Sequence, residues 1–168
     1  TDEDTESARQ ILDLMCNDTA ELVRRSLAVT LRNSPKLPRD IALKLAREGC
    51  DIAANYYNSA DEAETLCAEI RALGRRAIAI QGSVGIPDSV DEIFAEFGRH
   101  FDRLDILVSN AASGVLKPTV EMTLKHWRWC METNALALNL LTQRALPLMQ
   151  GGGRIVALSS LGSVRAMP

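Results

Sequence analysis

The feature that most constrains the fold of this chain is a regular alternation of short apolar runs with amphipathic helical segments. Runs that are apolar throughout, without a period of two, are typical of parallel strands covered on both faces by helices. The sequence therefore predicts an α/β fold built on a doubly wound parallel sheet. The predicted strands are Leu27–Thr30, Asp51–Tyr56, Ala77–Gln81, Leu104–Ser109 and Arg154–Ser159.

The helical segments are recognised by apolar residues that recur near a 3.6-residue period. Pro87 and Thr123 stand at helix starts, and Gly49 and Gly74 follow helix ends. The predicted helices are Arg39–Glu48, Ala60–Leu73, Asp88–Phe101 and a long one that Thr123 caps and that runs to about Met149. The core residues predicted on the strands are Val29, Ile52, Ile78, Ile80, Ile106, Val108, Ile155 and Val156.

The first 26 residues do not fit this alternation, and we interpret them as an N-terminal extension. Residues 5–25 carry apolar residues at helical spacing and predict an amphipathic helix outside the sheet. Residues 27–168 form the α/β domain.

Composition excludes several classes of function. The 168 residues carry a net charge of −3, which gives no electrostatic basis for binding nucleic acid or an anionic membrane. No apolar run is long enough to span a bilayer, and the acidic start TDEDTES is the opposite of a secretory leader, so we expect a cytoplasmic protein. Cys16, Cys50, Cys67 and Cys130 are widely spaced, and we expect neither a metal site nor a disulfide.

Chemistry-bearing residues occur where two predicted strands end. The fourth strand continues into VSNAASG, in which Asn110 can bridge strand ends and small residues let a ligand approach the backbone; a plain turn is the alternative. The fifth continues into ALSSLGS, where Ser160 either hydrogen-bonds a substrate carbonyl or is satisfied locally. Asn134 interrupts an apolar helix face in METNALAL, so it either has a buried partner or faces solvent.

Taken together, these motifs resemble the short-chain dehydrogenase/reductase family. SNAAS resembles the family's Asn-Asn-Ala-Gly segment, with Ser109 and Ala112 in place of the first Asn and the Gly. TNA carries the Asn of the catalytic tetrad as Asn134, and IVALSS ends in what resembles the catalytic serine, Ser160. The stretches NAASGVLKP, HWRWCMETNALAL and GGGRIVALSSLGS are similar to the enoyl-acyl-carrier-protein reductases of this family.

The resemblance implies an NADPH-dependent reduction of an acyl thioester on acyl carrier protein. In the family a tyrosine and a lysine supply the proton and bind the nicotinamide ribose, while the serine orients the substrate and the asparagine supports a relay water. The resemblance also implies a Rossmann-like fold and a homo-oligomer, or another assembly, that forms through exposed helices.

The residues that the resemblance assigns to the cofactor follow the strands: Thr30, Asn58, Ser83, Val84, Asn110 and Ala111. Asn58 stands where an acidic residue would select NAD, so we expect NADP in preference to NAD, although the basic residue common in NADP forms is lacking. QGSV resembles the family's Gly-Asp-Val segment along the adenine, with Ser83 replacing the Asp.

Two departures from the family qualify this expectation. The loop after Thr30 reads LRNSPKLPRD, which has no glycine and two prolines, although Arg32, Lys36 and Arg39 could still attract a phosphate. Counted from Ser160, the family's tyrosine and lysine positions fall beyond Pro168, so we expect a truncated or inactive chain. Three hypotheses stay open: an enoyl-acyl-carrier-protein reductase, a 3-ketoacyl-acyl-carrier-protein reductase, and a non-catalytic assembly or binding protein.

Overall fold

The computed structural model describes residues 27–30 and 36–159, which form a parallel sheet with helices on both faces. The strands lie in the order β3-β2-β1-β4-β5, and every neighbouring pair is parallel. The predicted doubly wound sheet is confirmed, although β2, β4 and β5 are shorter than expected. The strands are β1 (Leu27–Thr30), β2 (Ile52–Tyr56), β3 (Ala77–Gln81), β4 (Ile106–Ser109) and β5 (Arg154–Ala157).

The helices begin where the sequence signals indicate. Pro87 is the first residue of α3, where its missing N–H leaves no hydrogen bond unmade. Thr123 caps α4: its hydroxyl accepts from the His126 N–H, and its own N–H donates to His126 Nδ1. The α-helices are α1 (Lys36–Arg47), α2 (Ala60–Ala72), α3 (Pro87–Gly98), α4 (Leu124–Met131) and α5 (Ala137–Ala145), with 3-10 turns at Thr119–Glu121 and Leu146–Leu148.

The long helix predicted from Thr123 to about Met149 is interrupted. A π-helical segment, Glu132–Leu136, joins α4 to α5, and the Ala137 N–H donates to Glu132 O across five residues. A π turn widens the helix without breaking it. The apolar pattern continues on either side of the segment, so periodicity alone could not reveal it.

Two apolar layers cover the two faces of the sheet. The first packs α1 and α2 against alternate residues of β2 and β4, among them Ile52, Ile106 and Val108. The second packs α3 and α5 against the opposite residues, among them Ile80 and Leu107. Burial on both faces explains why the strands are apolar throughout.

Most of the predicted strand core is confirmed. Ile52, Ile80, Ile106 and Val108 are buried, and Ile78 and Val156 pack partly buried against the two layers. The prediction for Ile155 is wrong: this side chain is 37% exposed. In the part of the chain that the structure describes, β5 is an edge strand, and α5 packs on β4 instead.

Other predictions concern residues outside the described ranges: the helix over 5–25, the side chains of Val29 and Thr30, and Cys16. Among the described residues, Cys50, Cys67 and Cys130 form no disulfide, and burial raises the pKa of the Cys67 thiol to about 11. None of the described helices has the length and apolar content that a membrane span requires.

Candidate active site

The strand order creates a crevice at the carboxyl edge of the sheet. From β1 the chain winds outward to β2 and β3 on one side, while β4 and β5 lie on the other. The strand order therefore reverses between β1 and β4, and ligands of doubly wound sheets bind at such a point. Thr30 ends β1 and Ser109 ends β4, directly after the paired residues Val29 and Val108.

The loop after β4 is fastened to the long helix by Asn134. The Ser113 N–H donates to Asn134 Oδ1 at 2.6 Å, and Asn134 Nδ2 donates to the Ser113 carbonyl at 2.7 Å. The Ser113 hydroxyl also donates to the Trp129 carbonyl at 3.1 Å. We call this set of three bonds the Ser113 clamp. It fixes the segment Asn110–Ser113, which borders the crevice.

The clamp also resolves the two alternatives for Asn134. As a whole the residue is exposed, yet both polar groups of its side chain are bonded to the backbone of one loop residue, to the N–H and the carbonyl of Ser113. The π segment that carries Asn134 is a feature often found at functional sites. The side chain retains one N–H and one lone pair for a further partner.

A second hydrogen-bonded group joins the ends of β2 and β3. Asn55 Nδ2 donates to the carbonyls of Ile80 at 3.1 Å and Gly82 at 3.2 Å. The Gly82 N–H donates to Tyr56 O at 2.8 Å, and Gln81 Nε2 donates to Tyr57 O at 3.2 Å. These bonds hold together the two strands after which the predicted cofactor residues follow.

Beyond these strand ends, the predicted residues have different surroundings. Asn58 is exposed, whereas the Val84 side chain is buried in the second apolar layer, so only its backbone can face a ligand. The Ser83 N–H is already bonded to Ser89 Oγ at 2.8 Å. Asn110 and Ala111 are half-buried directly after β4.

The loop after β3 packs too closely for side chains at two glycines. A Cβ on Gly82 would lie 2.5 Å from Ile93 Cγ1. A Cβ on Gly85 would lie 3.2 Å from the Glu132 carbonyl carbon. Gly85 thus lets this loop rest closely on the π segment that carries Asn134.

Arg39 is one of the three basic residues that could attract a phosphate. Its Nη2 binds the Glu69 carboxylate at 2.5 and 2.6 Å and so fastens α1 to α2. Ser160 lies outside the described residues. The Leu158 N–H still donates to Ser109 O at 3.0 Å, so the chain runs beside β4 up to two residues before Ser160.

Charged groups mark the opposite, amino edge of the sheet. Burial raises the pKa of Asp51, but hydrogen bonds from the Arg76 N–H and guanidinium and the charge of Arg75 outweigh it and lower the pKa overall. The guanidinium nitrogens of Arg75 and Arg76 each lie 2.8 Å from an oxygen of Asp51. This cluster ties β2 to the segment before β3 and is remote from the crevice.

The described residues bring together no group of three or more His, Cys, Asp and Glu that could hold a metal ion. Among the described residues, the polar side chains assigned to the crevice, Asn58, Ser83, Asn110 and Asn134, are neutral amides and a hydroxyl.

A family model described as enoyl-(acyl carrier protein) reductase matches residues 37–168. The chain belongs to the short-chain dehydrogenase/reductase family. A solved member, a short-chain dehydrogenase from Burkholderia cenocepacia in complex with NADP, superimposes with a TM-score of 0.79 at 34% identity and covers 87% of this chain and 59% of that one. A blue fluorescent protein from a metagenomic library, in complex with NADPH, superimposes with a TM-score of 0.78 at 31% identity and covers 86% of this chain and 59% of that one.

Curated members of the family include reductases with different substrates. A 1-cyclohexenylcarbonyl-CoA reductase from Streptomyces collinus is 39% identical over 86% of this chain and 52% of its own length. A hydroxynaphthalene reductase from Aspergillus fumigatus is 37% identical over 76% of this chain and 47% of its own. A 3-oxoacyl-[acyl-carrier-protein] reductase from Staphylococcus epidermidis is 37% identical over 77% of this chain and 54% of its own length. The chain spans about half the length of the curated relatives it matches.

Sequence reasoning missed Ser113 and Asn55. Ser113 is the last residue of NAAS, but nothing in the sequence shows that a helical residue 21 positions later reaches it. Asn55 did leave a signal, because it is a polar residue within an apolar strand and burial there requires a partner.

Proposed function

We propose that the protein containing this chain is an NAD(P)H-dependent oxidoreductase that reduces an acyl thioester. The observation that carries this proposal is the Ser113 clamp. It holds Asn134, which matches the family's catalytic asparagine, against the loop that borders the crevice. A plain turn of small residues would not require a two-point bond from a distant helix.

NADP in preference to NAD is the cofactor we propose. Asn58 is exposed after β2 and is neutral, so it would not repel a 2′-phosphate as an acidic residue would. The small residues after β4 leave room for a ligand to approach the backbone. The complexes of two related proteins with NADP and NADPH support this choice.

Each residue then has a proposed role. Thr30, Asn58, Ser83, Val84, Asn110 and Ala111 would border the cofactor, which supplies the hydride when bound. Asn134 would orient the loop after β4 and keep its remaining N–H and lone pair for a water. Ser160 would donate a hydrogen bond to the thioester carbonyl, on which negative charge develops.

An enoyl thioester on acyl carrier protein is our first choice of substrate. The description of the matching family model supports it. A 3-ketoacyl thioester is the second candidate, supported by the Staphylococcus epidermidis relative. Both reductions use the same crevice and the same cofactor, so the described residues favour neither by their geometry.

A non-catalytic assembly protein is the third candidate. Three large apolar side chains of α4 are exposed at helical spacing: Leu124, Trp127 and Met131, with exposed fractions of 63%, 61% and 45%. Such a surface suits an interface between subunits, and it supports a homo-oligomer under any of the three proposals.

The test joins residues 1–160 of this chain to the C-terminal part of the Staphylococcus epidermidis relative. NADPH oxidation is followed with crotonyl and acetoacetyl thioesters. Faster turnover of the crotonyl thioester supports the enoyl proposal, and faster turnover of the acetoacetyl thioester supports the ketoacyl one. A folded chimera that binds NADPH but reduces neither thioester would favour the assembly proposal.

A further inference from the structure

Asn55 is an exception in its strand. It is 7% exposed, and the residues before it in β2, Ile52, Ala53 and Ala54, are buried and apolar. A buried carboxamide without partners is destabilising, so its retention requires bonds. Its Nδ2 provides two, to the carbonyls of Ile80 and Gly82 on the neighbouring strand end.

The hydrogen-bond pattern between β2 and β3 explains the bond to Gly82. The Ile52 N–H donates to Arg76 O, and the Gly82 N–H donates to Tyr56 O. In a parallel ladder each further bond comes two residues later on the opposite strand. The donor due next to Gly82 O would be the N–H of Asn58, but β2 ends at Tyr56. The side-chain amide of Asn55 supplies that donor instead.

Because the Asn55 side chain acts in place of the Asn58 N–H, the segment after β2 need not continue along β3. Because Gly82 O is already satisfied, residues 57–59 can leave the sheet, and Asn58 becomes exposed. On the other strand Ser83 turns away and bonds to Ser89 Oγ. The two segments therefore diverge directly after their last shared bonds, and both carry residues assigned to the cofactor.

We propose that Asn55 is a positioning residue for the adenosine end of the cofactor, acting through Asn58 and Ser83 rather than by contact. The inference rests on the proposed function, since it requires that the protein binds NAD(P)H at this edge. An apolar residue of the same size would fill the space but would leave Gly82 O without a donor.

The experiment uses 2′,5′-ADP as the probe, because it contains the adenosine end without the nicotinamide. Binding to the 168-residue chain is followed by NMR at the amides of Asn58, Ser83 and Val84. Asn55→Leu and Asn55→Asp are compared with Asn139→Asp, which makes the same change at an exposed position. We expect both Asn55 variants to bind on the order of 10-fold more weakly at pH 8 and the control to be unchanged.

Two further readouts separate positioning from general stability. Exchange of the Gly82 amide should accelerate on the order of 10-fold while exchange at Val108 stays constant, because only the strand ends lose a bond. On lowering the pH to 5, the carboxyl introduced by Asn55→Asp should partly regain its proton and with it a donor, so its binding should recover relative to Asn55→Leu.

The outcomes are distinguishable. If the unaltered chain does not bind 2′,5′-ADP, the proposed cofactor site is wrong, and amide exchange still decides whether Asn55 holds the strand ends. If the unaltered chain binds and Asn55→Leu binds equally well, the role of Asn55 is wrong. Unfolding of both variants, with the control folded, would also overturn it, because Asn55 would then serve the whole sheet.

Discussion

The two edges of the sheet are held by different chemistry. At the amino edge, Asp51 is bound by two guanidinium groups, and Arg103 pairs with Asp105 at the start of β4. At the carboxyl edge, the bonds come from the neutral amides of Asn55 and Asn134 and from serine hydroxyls.

The difference indicates which edge serves stability and which serves a ligand. Charged pairs can join strands at an edge that binds no anion, but a carboxylate in the crevice would repel the phosphates of a dinucleotide. Neutral amides form directional hydrogen bonds and place no negative charge near those phosphates. Substitutions at the amino edge should therefore change unfolding alone, whereas those at the carboxyl edge should change binding as well.

The largest expected effect concerns turnover, and it tests whether the carboxyl edge is sufficient for catalysis. The 168-residue chain should reduce neither crotonyl nor acetoacetyl thioester above background, because it carries no tyrosine after Tyr57. Positioned acid–base groups commonly contribute about 10²- to 10⁴-fold in rate. NADPH absorbance is the measurement, and clear turnover would show that the chemistry has been assigned to the wrong residues.

The glycine-free loop adds a matched pair of variants to that assay. The triple change Leu31→Gly, Pro35→Gly and Leu37→Gly should strengthen NADPH binding, because glycine permits positive φ and restores an N–H where Pro35 has none. The same three positions changed to alanine provide the control. Equal affinities for the two triple variants would mean that glycine is not what this loop lacks.

The next effect concerns the Ser113 clamp. Asn134→Ala removes both side-chain bonds and leaves the buried Ser113 N–H and carbonyl unpaired, so we expect a loss of about 2–3 kcal/mol in the free energy of unfolding. Urea denaturation measures it. Asn139→Ala should change the free energy of unfolding by less than about 0.5 kcal/mol. A loss at Asn134 no larger than at Asn139 would contradict the clamp.

The amino edge should respond to pH. The lowered pKa of Asp51 means that its contribution to stability is fully present above the pKa of the unfolded chain, which is that of an ordinary aspartate. The contribution disappears as the pH falls through the lower pKa of the folded state. Asp51→Asn should cost about 1–2 kcal/mol at pH 7, because solvent at this edge screens part of the interaction. The difference in the free energy of unfolding between the unaltered protein and Asp51→Asn should shrink below about pH 4. A difference that stays constant with pH would exclude the charge of Asp51 as its cause.

The smallest effect is at the start of α4. Thr123→Ala removes the hydroxyl that accepts from the His126 N–H, and it should lower the free energy of unfolding by about 1 kcal/mol. Thr123→Ser keeps the hydroxyl and is the control. Thermal unfolding of the three proteins is sufficient, and equal midpoints for Thr123→Ala and Thr123→Ser would show that the cap is not formed.

Much of the fold could be predicted because its signals are local. The runs AIAIQ and LDILVS predict strands whatever lies around them, and Pro87 and Thr123 mark helix starts by their own chemistry. Of the candidate site, the motif around Asn110 and Asn134 could be recognised. Its geometry could not, since Ser113 and Asn134 are 21 residues apart and meet only once α4 packs beside the loop.

The sequence alone determined the order of strands and helices, the burial of most strand residues and the family, because each depends on residue types at short, fixed spacing. Tertiary structure decided the rest. The exposure of Ile155 depends on which strand lies at the edge, and the engagement of Arg39 depends on where α2 brings Glu69. The partner of Asn55 depends on where β2 stops beside β3. Each is a contact between residues distant in the chain, and no local pattern specifies such a contact.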